Sequence, residues 1–195
     1  METTNGMRNV IQVIGGRNFA QQDRQTEDFY ATEPKATELL LELESFAPDI
    51  WEPACGQGHI SEVLINKGHC VKSTDLIDRG YGSSTEDFLL YDGYWDGDII
   101  TNPPYKLAQQ FIEKSLSLIP DGRRVAMFLP IRYLEGKARK RMFLRFPPEK
   151  IYVSSSRLKC AINGSFEEMT GSAVCYSWFI WKKGFSGDTV IKWFN

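Results

Sequence analysis

Residues 49–58 read DIWEPACGQG, and this stretch decides the fold. DIWE is a short run typical of a buried strand, and glycines follow it at positions 56 and 58. The next residues, GHISEVLINKG at 58–68, repeat apolar side chains at helical spacing and end in a glycine that can stop a helix. The stretch therefore predicts a strand, a tight glycine turn and a helix.

The alternation of strand and helix extends to both sides of this unit. Upstream, PKATELLLELESF at 34–46 begins with proline and predicts a helix whose apolar face is formed by Leu39, Leu40, Leu43 and Phe46. Downstream, three strands and one helix are predicted, namely HCVKSTD at 69–75, GDIITN at 97–102, the helix KLAQQFIEKSLSL at 106–118 and RRVAMFLP at 123–130. This alternation predicts an α/β fold with a mainly parallel sheet.

Two later runs are predicted to close the sheet. KIYVSS at 150–155 and SAVCYSWFIWKK at 172–183 are strand-like, and no segment of clear helical periodicity separates them. We therefore expect them to pair in the antiparallel sense. The connection at 156–172, SRLKCAINGSFEEMTGS, is either a substrate loop over the pocket entrance or an ordinary mobile loop.

Composition indicates one compact domain. The chain has 195 residues, of which 42% are hydrophobic and 13% aromatic, enough for a sizeable core. Residues 1–28 are polar and are predicted to form an arm before a single domain at 29–195. The four cysteines form no CxxC pair, and neither histidine has a metal-ligand spacing with them. We therefore expect a reduced, cytoplasmic protein without a bound metal.

Membrane and secreted classes are not expected. The first residues, METTNGMRNV, lack the charged and apolar regions of a signal peptide, and no uncharged stretch reaches membrane-spanning length. The net charge of -2 at pH 7 gives no general attraction to polyanions. A nucleic-acid partner would therefore need a local basic patch.

The glycine turn marks the expected cofactor site, because ligands of doubly wound sheets bind beyond the carboxyl ends of the strands. Gly56 and Gly58 alone would fit an ordinary turn equally well. Asp75, however, ends the next strand, where a carboxylate can bind both hydroxyls of a ribose. The turn lacks the GxGxxG of dinucleotide folds, and Glu52 would repel phosphates but could pair with an amino group. S-adenosylmethionine, which has a ribose, an amino group and no phosphate, fits this pattern.

The tetrapeptide Asn102-Pro103-Pro104-Tyr105 directly follows a predicted strand, at the same edge of the sheet as the glycine turn. The Asn102 side-chain oxygen and the Pro103 carbonyl can both accept hydrogen bonds from an amino group, and the two prolines fix that geometry. Tyr105 offers a flat face to a planar target such as an extruded base. The alternative is a rigid turn without a chemical role. The tetrapeptide favours a catalytic site for amino groups.

Five motifs of the chain resemble, in sequence and in order, those of the amino-group methyltransferases, above all the adenine-N6 DNA methyltransferases of the gamma arrangement. They are FYATEP at 29–34, EPACGQG at 52–58, STD at 73–75, EDFLLYD at 86–92 and NPPY at 102–105. The chain is also similar to the short, phage-type adenine methylases. The resemblance implies a Rossmann-like class I methyltransferase fold. Its seven-stranded, mostly parallel sheet would carry an antiparallel C-terminal hairpin, without a separate target-recognition domain.

The resemblance also implies roles for individual residues around S-adenosylmethionine. Tyr30 and Thr32 would lie near its methionine end, Asp75 would hold the ribose, Asp87 would bind the adenine amino group, and Phe88 would pack on the adenine ring. The cofactor-binding set implied in this way is Tyr30, Thr32, Glu52, Pro53, Ala54, Gly56, Gly58, Asp75, Leu76, Asp87, Phe88 and Asn102.

A basic stretch after NPPY is the candidate contact surface for DNA, or else for RNA. Phosphate contacts from it would hold the nucleic acid over the pocket, although a solvated helix face is an equally good interpretation. Its members are Arg132, Lys137, Arg139, Lys140, Arg141, Arg145, Lys150, Arg157 and Lys159.

The leading hypothesis is direct methyl transfer from S-adenosylmethionine to adenine N6 in DNA, with Asn102 and Pro103 orienting the nitrogen and Tyr105 holding the ring. Two alternatives remain. The amino group could belong to RNA adenine or to a protein glutamine, or the chain could be a catalytically silent cofactor-binding scaffold for nucleic acid.

Overall fold

The computed structural model describes residues 30–162, 166 and 174–195. The predicted polar arm at 1–28 lies outside the described residues and stays a prediction. Within the described part of the chain, no helix is long and apolar enough to cross a membrane.

The described residues form ten strands and four α-helices. The strands are β1 (Tyr30–Thr32), β2 (Asp49–Glu52), β3 (Cys70–Asp75), β4 (Ser84–Thr85), β5 (Asp98–Thr101), β6 (Arg124–Pro130), β7 (Lys150–Ser154), β8 (Cys160–Ile162), β9 (Tyr176–Lys182) and β10 (Val190–Phe194). The helices are α1 (Pro34–Leu43), α2 (His59–Asn66), α3 (Ala108–Leu118) and α4 (Lys137–Arg145), with a short 3₁₀-helix (Ile131–Leu134) before α4.

The central sheet has the strand order β10-β7-β9-β6-β5-β2-β3-β4, while β1 and β8 form a separate two-stranded sheet. All neighbours from β4 to β6 are parallel, and β9 runs antiparallel to both β6 and β7. The predicted α/β class and the antiparallel pair are therefore confirmed. From β2 the chain adds β3 and β4 on one side, whereas from β5 it adds β6 and the later strands on the other side. The carboxyl ends of β2 and β5 therefore form the topological switch point of the sheet.

The sheet has one strand more than the seven predicted. After a turn at Gly184, β10 pairs in parallel with β7, from Val190 beside Lys150 to Phe194 beside Ser154. This pairing satisfies backbone groups that would otherwise be exposed along the outer edge of β7. The C-terminal region is therefore a three-strand arrangement rather than a simple hairpin.

Helices cover both faces of the central sheet. Ile50 of β2 belongs to the same hydrophobic cluster as Leu40 of α1 and Leu64 of α2. Its neighbour Trp51 belongs to the opposite cluster, which contains Phe111 of α3. Because alternate side chains of a strand point to opposite faces, each central strand contributes to both clusters.

Helix α1 is shorter than predicted. It ends at Leu43, which is 39% exposed, and Phe46 lies beyond it, so the buried face centres on Leu40. The physical reason lies at Glu44, whose backbone is extended and whose carboxylate accepts a hydrogen bond from Lys150 of β7. The prediction that Leu39, Leu40, Leu43 and Phe46 form one apolar helix face is therefore wrong at its C-terminal end, where Leu43 is exposed and Phe46 lies outside the helix.

Candidate functional site

A cleft of about 840 Å³ opens at the carboxyl ends of β2, β3 and β5. All but two of the predicted cofactor residues line it, namely Tyr30, Thr32, Glu52, Pro53, Ala54, Asp75, Leu76, Asp87, Phe88 and Asn102. The switch point of the sheet thus brings together residues that are far apart in the chain.

Gly56 and Gly58 are the two that do not line the cleft. They shape the turn instead: both have positive φ, and the Gly56 backbone N–H donates to Asp75 Oδ2 at 2.8 Å. At Gly58 an added Cβ would lie 2.5 Å from the Tyr81 ring. The close approach that Gly58 permits is therefore to a tyrosine of the same chain.

Asp75 and Asp87 place two carboxylates along the cleft. Asp75 also accepts from the Ile77 backbone N–H at 3.1 Å, and Asp87 accepts from the Leu89 N–H at 3.0 Å. A carboxylate offers about four acceptor positions, so both retain capacity for a ligand. These backbone bonds hold each carboxylate in place before any ligand arrives.

The apolar part of the cleft wall is built on Phe88. This side chain is 2% exposed and packs edge-on against Trp51, with ring centroids 5.1 Å apart. It also contacts Phe111 of α3 at 5.0 Å between centroids. Leu76, in contrast, is 62% exposed at the rim. A flat group entering the cleft would meet a tightly packed aromatic wall on one side and the exposed side chain of Leu76 at the rim.

Glu52 is buried at the base of the cleft. Its carboxyl accepts a hydrogen bond from the Ser61 hydroxyl, which lies 2.6 Å from the Ser73 hydroxyl. Burial raises the pKa of Glu52 to about 8, against the lowering effect of the Ser61 hydrogen bonds and with a further rise from Asp75. Glu52 is therefore mostly protonated at neutral pH. The prediction that its negative charge would repel phosphates is wrong, because the protonated carboxyl carries no charge.

The raised pKa of Glu52 predicts a dependence of stability on pH. Between about pH 4.5 and 8 the folded protein keeps a proton that the unfolded chain releases, so stability is highest below 4.5 and falls as the pH rises towards 8. Each unit of pKa difference corresponds to about 1.4 kcal/mol. Glu52→Gln cannot ionise, and we expect it to lose less stability over this range in urea unfolding.

The matched control for this prediction is Glu38→Gln, because Glu38 is an exposed glutamate of α1. Its unfolding curves are expected to follow the parent at every pH. Parallel curves for the parent and Glu52→Gln would contradict the assignment of Glu52 as a protonated buried acid.

Asn102 has a fixed side-chain orientation at the cleft wall. Its Nδ2 donates to the Tyr30 carbonyl at 2.9 Å and to Thr32 Oγ1 at 3.0 Å. Because a backbone carbonyl can only accept, the amide must present its nitrogen to β1 and its oxygen to the other side. That oxygen, Oδ1, is buried and has no hydrogen-bond partner among the described residues. An unpaired buried acceptor is unfavourable, so the site is suited to a donor supplied by a ligand.

The remaining residues of the tetrapeptide are arranged differently from the prediction. Pro104 lines the cleft, whereas Pro103 and Tyr105 do not. The Tyr105 ring stacks on Tyr30, with centroids 5.7 Å apart and planes at 18°, so one of its faces is already covered. Its hydroxyl donates to Cys160 Sγ at 3.7 Å, and burial raises the pKa of Tyr105 well above its usual value. The expected open stacking face is therefore closed by Tyr30 in this conformation.

The basic stretch does not form one uniform surface. Lys150 pairs with Glu44 inside the fold, and Arg139 donates to the Tyr133 carbonyl at 2.7 Å. Burial alone would raise the pKa of Glu44, but Lys150, Tyr152 and Arg124 hold it below its usual value. The exposed members are Arg132, Lys137, Lys140, Arg141, Arg145 and Arg157.

Some residues in and beside the cleft were not predicted from the sequence. His59 lines the cleft, and its ring lies 5.4 Å from that of Phe166 in the connection between β8 and β9. Burial lowers the pKa of His59 and so favours the neutral form of its ring. Cys160 contacts Asn102 Nδ2 at 3.7 Å, although 58 positions separate them. No pattern of spacing in the sequence indicates this contact, because it depends on the pairing of β1 with β8.

No protein-family model and no curated protein matches the chain. Solved structures do match its fold. A protein from Listeria monocytogenes assigned as a class I S-adenosylmethionine-dependent methyltransferase is 14% identical, with a TM-score of 0.62 over 95% of this chain and 71% of that one. A protein from Pyrococcus horikoshii assigned as an RNA methyltransferase is 11% identical, with a TM-score of 0.60 over 90% and 98%.

A TehB-like S-adenosylmethionine-dependent methyltransferase from Corynebacterium glutamicum has the same likeness in fold. It is 15% identical, with a TM-score of 0.53 over 92% of this chain and 100% of that one. The chain therefore has the Rossmann-like class I methyltransferase fold, as predicted.

Proposed function

We propose that this chain is an S-adenosylmethionine-dependent methyltransferase that modifies the N6 amino group of adenine in DNA. The observation that carries the proposal is the buried Oδ1 of Asn102, which has no partner among the described residues and is held in one orientation at the wall of the cleft. A planar amino group has the N–H donors that this acceptor lacks.

The cleft residues fit a nucleoside cofactor. The Asp75 carboxylate, fixed by the Gly56 N–H, has acceptor positions for ribose hydroxyls, and Asp87 lies beside Phe88 where it could accept from an adenine amino group. Phe88 would pack on the adenine ring. When bound, S-adenosylmethionine supplies a methyl group carried on a positively charged sulfur.

The protein's contribution to transfer is mainly orientation. Asn102 Oδ1 would accept one N–H group of the target nitrogen and direct its lone pair at the methyl group. The Pro103 carbonyl, predicted to accept the second N–H group, does not line the cleft in this conformation. As positive charge develops on the nitrogen, Asn102 Oδ1 stabilises it more strongly. No strong base is required, which agrees with the neutral Tyr105 and the raised pKa of Cys160, to about 12, caused by burial.

Tyr105 would receive the target ring only after Tyr30 moves. The two rings stack at 5.7 Å between centroids, so a base cannot share that face while Tyr30 covers it. Tyr30 is only partly buried, and its side chain can leave without breaking the bond from Asn102 to its backbone carbonyl. A base extruded from a duplex would replace one aromatic ring by another.

The surface that we assign to DNA phosphates comprises Arg132, which precedes α4, and the first turns of α4. Arg132 follows the carboxyl end of β6, and Lys137, Lys140 and Arg141 are exposed on the first turns of the helix. The carboxyl ends of the parallel strands also carry the cleft. This basic surface therefore lies on the side of the sheet from which a base would enter.

Removing three of these charges should reduce the salt dependence of DNA binding. Each phosphate contact contributes about 0.9 to the slope of log K against log salt, so Lys137→Ala/Lys140→Ala/Arg141→Ala should lower that slope by about 3. The measurement is fluorescence anisotropy of a labelled duplex at several salt concentrations. A triple variant at Lys67, Lys182 and Lys192 makes the same charge change at exposed positions outside α4. Equal slopes for the two triple variants would contradict the assignment.

The substrate class is tested by transfer of labelled methyl groups to three acceptors. The parent protein is incubated with labelled S-adenosylmethionine and, separately, unmethylated duplex DNA, RNA and a glutamine-containing protein extract. We expect label in DNA. Label in RNA or protein would move the proposal to those acceptors, and tight cofactor binding without transfer to any of them would favour a silent scaffold.

A further inference from the structure

Three acceptor atoms surround the Asn102 amide nitrogen, and all three belong to the two-stranded sheet formed by β1 and β8. They are the Tyr30 carbonyl at 2.9 Å, Thr32 Oγ1 at 3.0 Å and Cys160 Sγ at 3.7 Å. Thr32 and Cys160 are directly opposite in the register of this sheet. Directly paired residues place their side chains on the same face of a sheet, which here is the face towards Asn102.

The two strands of the small sheet are also joined beyond their paired residues. The Glu33 backbone N–H donates to the Lys159 carbonyl at 3.1 Å, and the Lys159 N–H donates to Glu33 Oε2 at 2.8 Å. Thr32 is 2% exposed and Cys160 is 6% exposed. The acceptors for the amide nitrogen are thus fixed in position before any substrate binds.

Of these acceptors, only the Thr32 hydroxyl is both a strong acceptor and a side chain that can be removed by substitution. An amide has two N–H groups, which the Tyr30 carbonyl and Thr32 Oγ1 satisfy. Without the hydroxyl, one N–H would face only the weakly accepting sulfur of Cys160. The amide could then rotate, and Oδ1 would leave the position in which it can accept from a target nitrogen.

We infer that Thr32 is a positioning residue for the amino-methylation reaction: its hydroxyl sets the orientation of the Asn102 amide, with Cys160 completing the pocket for the nitrogen. This role rests on the proposed function, and it differs from the contact with the methionine end of the cofactor that the sequence resemblance implies. A positioning role predicts an effect on turnover, whereas a cofactor contact predicts an effect on cofactor affinity.

The test compares Thr32→Val, which keeps the shape and removes the hydroxyl, with Thr32→Ser, which keeps the hydroxyl. We expect Thr32→Val to lower kcat for methyl transfer by about 10- to 100-fold, with an unchanged cofactor Kd in calorimetry, and Thr32→Ser to recover most of the turnover. The matched control is Thr37→Val, because Thr37 is a fully buried threonine of α1 whose hydroxyl has no partner among the described residues. It should turn over like the parent.

A second readout does not depend on activity. The side-chain amide protons of Asn102, assigned by NMR from their loss in Asn102→Ala, should exchange faster with solvent in Thr32→Val than in the parent or Thr37→Val. Unchanged exchange would overturn the inference even for a parent that transfers no methyl group. In an active parent, equal turnover of Thr32→Val and Thr37→Val, or a loss explained by weaker cofactor binding, would also overturn it.

Discussion

Asn102→Ala is expected to lower kcat for methyl transfer by at least about 100-fold, the usual effect of removing one preorganised hydrogen-bonding group at a reaction centre. The substitution removes Oδ1, the buried acceptor for which no described residue supplies a donor. It also removes the Nδ2 bonds to Tyr30 and Thr32. Steady-state kinetics with saturating cofactor and DNA measures the effect, and cofactor affinity should change much less than kcat.

The matched control for this variant is Asn66→Ala. Asn66 ends α2 and is exposed, at the other end of that helix from the cleft residue His59. Its kinetics should equal those of the parent. An Asn102→Ala protein that keeps the parental kcat would show that the unpaired acceptor has no part in the reaction.

Asp75→Ala should have the largest effect on cofactor binding. Hydrogen bonds to a charged group contribute about 1.5–3 kcal/mol each, so we expect the cofactor Kd to rise by about 10- to 100-fold. Calorimetric titration with S-adenosylmethionine gives this value directly. The variant also loses the bonds from the Gly56 and Ile77 N–H groups, so its melting temperature should fall.

Asp75→Asn is the milder change, since its side-chain oxygen can still accept from the Gly56 N–H, although its amide nitrogen cannot accept from the Ile77 N–H. We expect its melting temperature to lie between those of the parent and Asp75→Ala, and its cofactor binding to be weaker than the parent's because it has fewer acceptor positions and no charge. Asp49→Ala, at an exposed aspartate at the start of β2, removes an acid away from the cleft and serves as the control. Parental affinity in both Asp75 variants would exclude the proposed ribose contact.

The sequence was sufficient to predict the class of fold because its signals are local. The run at 49–58 contains the strand and the glycine turn, α2 begins at the next residue, His59, and the same alternation recurs up to β6. Gly56 and Gly58, both at positive φ, mark that turn in the sequence as clearly as in the structure. Proximity of the motifs then follows from the parallel sheet, since its strands all end at one edge.

The parts that could not be predicted depend on contacts between distant segments. Thr32 and Cys160 become neighbours only through the pairing of β1 with β8. The stacking of Tyr30 on Tyr105 likewise joins two residues that are far apart in the chain. Protonation of Glu52 depends on its complete burial beneath α2, which the alternation of residue types does not reveal.

The position of β10 illustrates a further limit. Its sequence, VIKWF, has the composition of a strand, but it has exposed apolar side chains such as Trp193 at 71%. Such a pattern does not identify a partner, because strand pairing is made by backbone groups that all residues share. In the structure this strand pairs in parallel along the outer edge of β7.

Methylation of adenine N6 in DNA can be measured by nucleoside mass spectrometry of unmethylated duplex DNA after incubation with the parent protein and S-adenosylmethionine. We expect N6-methyldeoxyadenosine, formed in proportion to time and enzyme. A product methylated only at cytosine, or DNA without any methylated nucleoside while calorimetry detects bound cofactor, would contradict it.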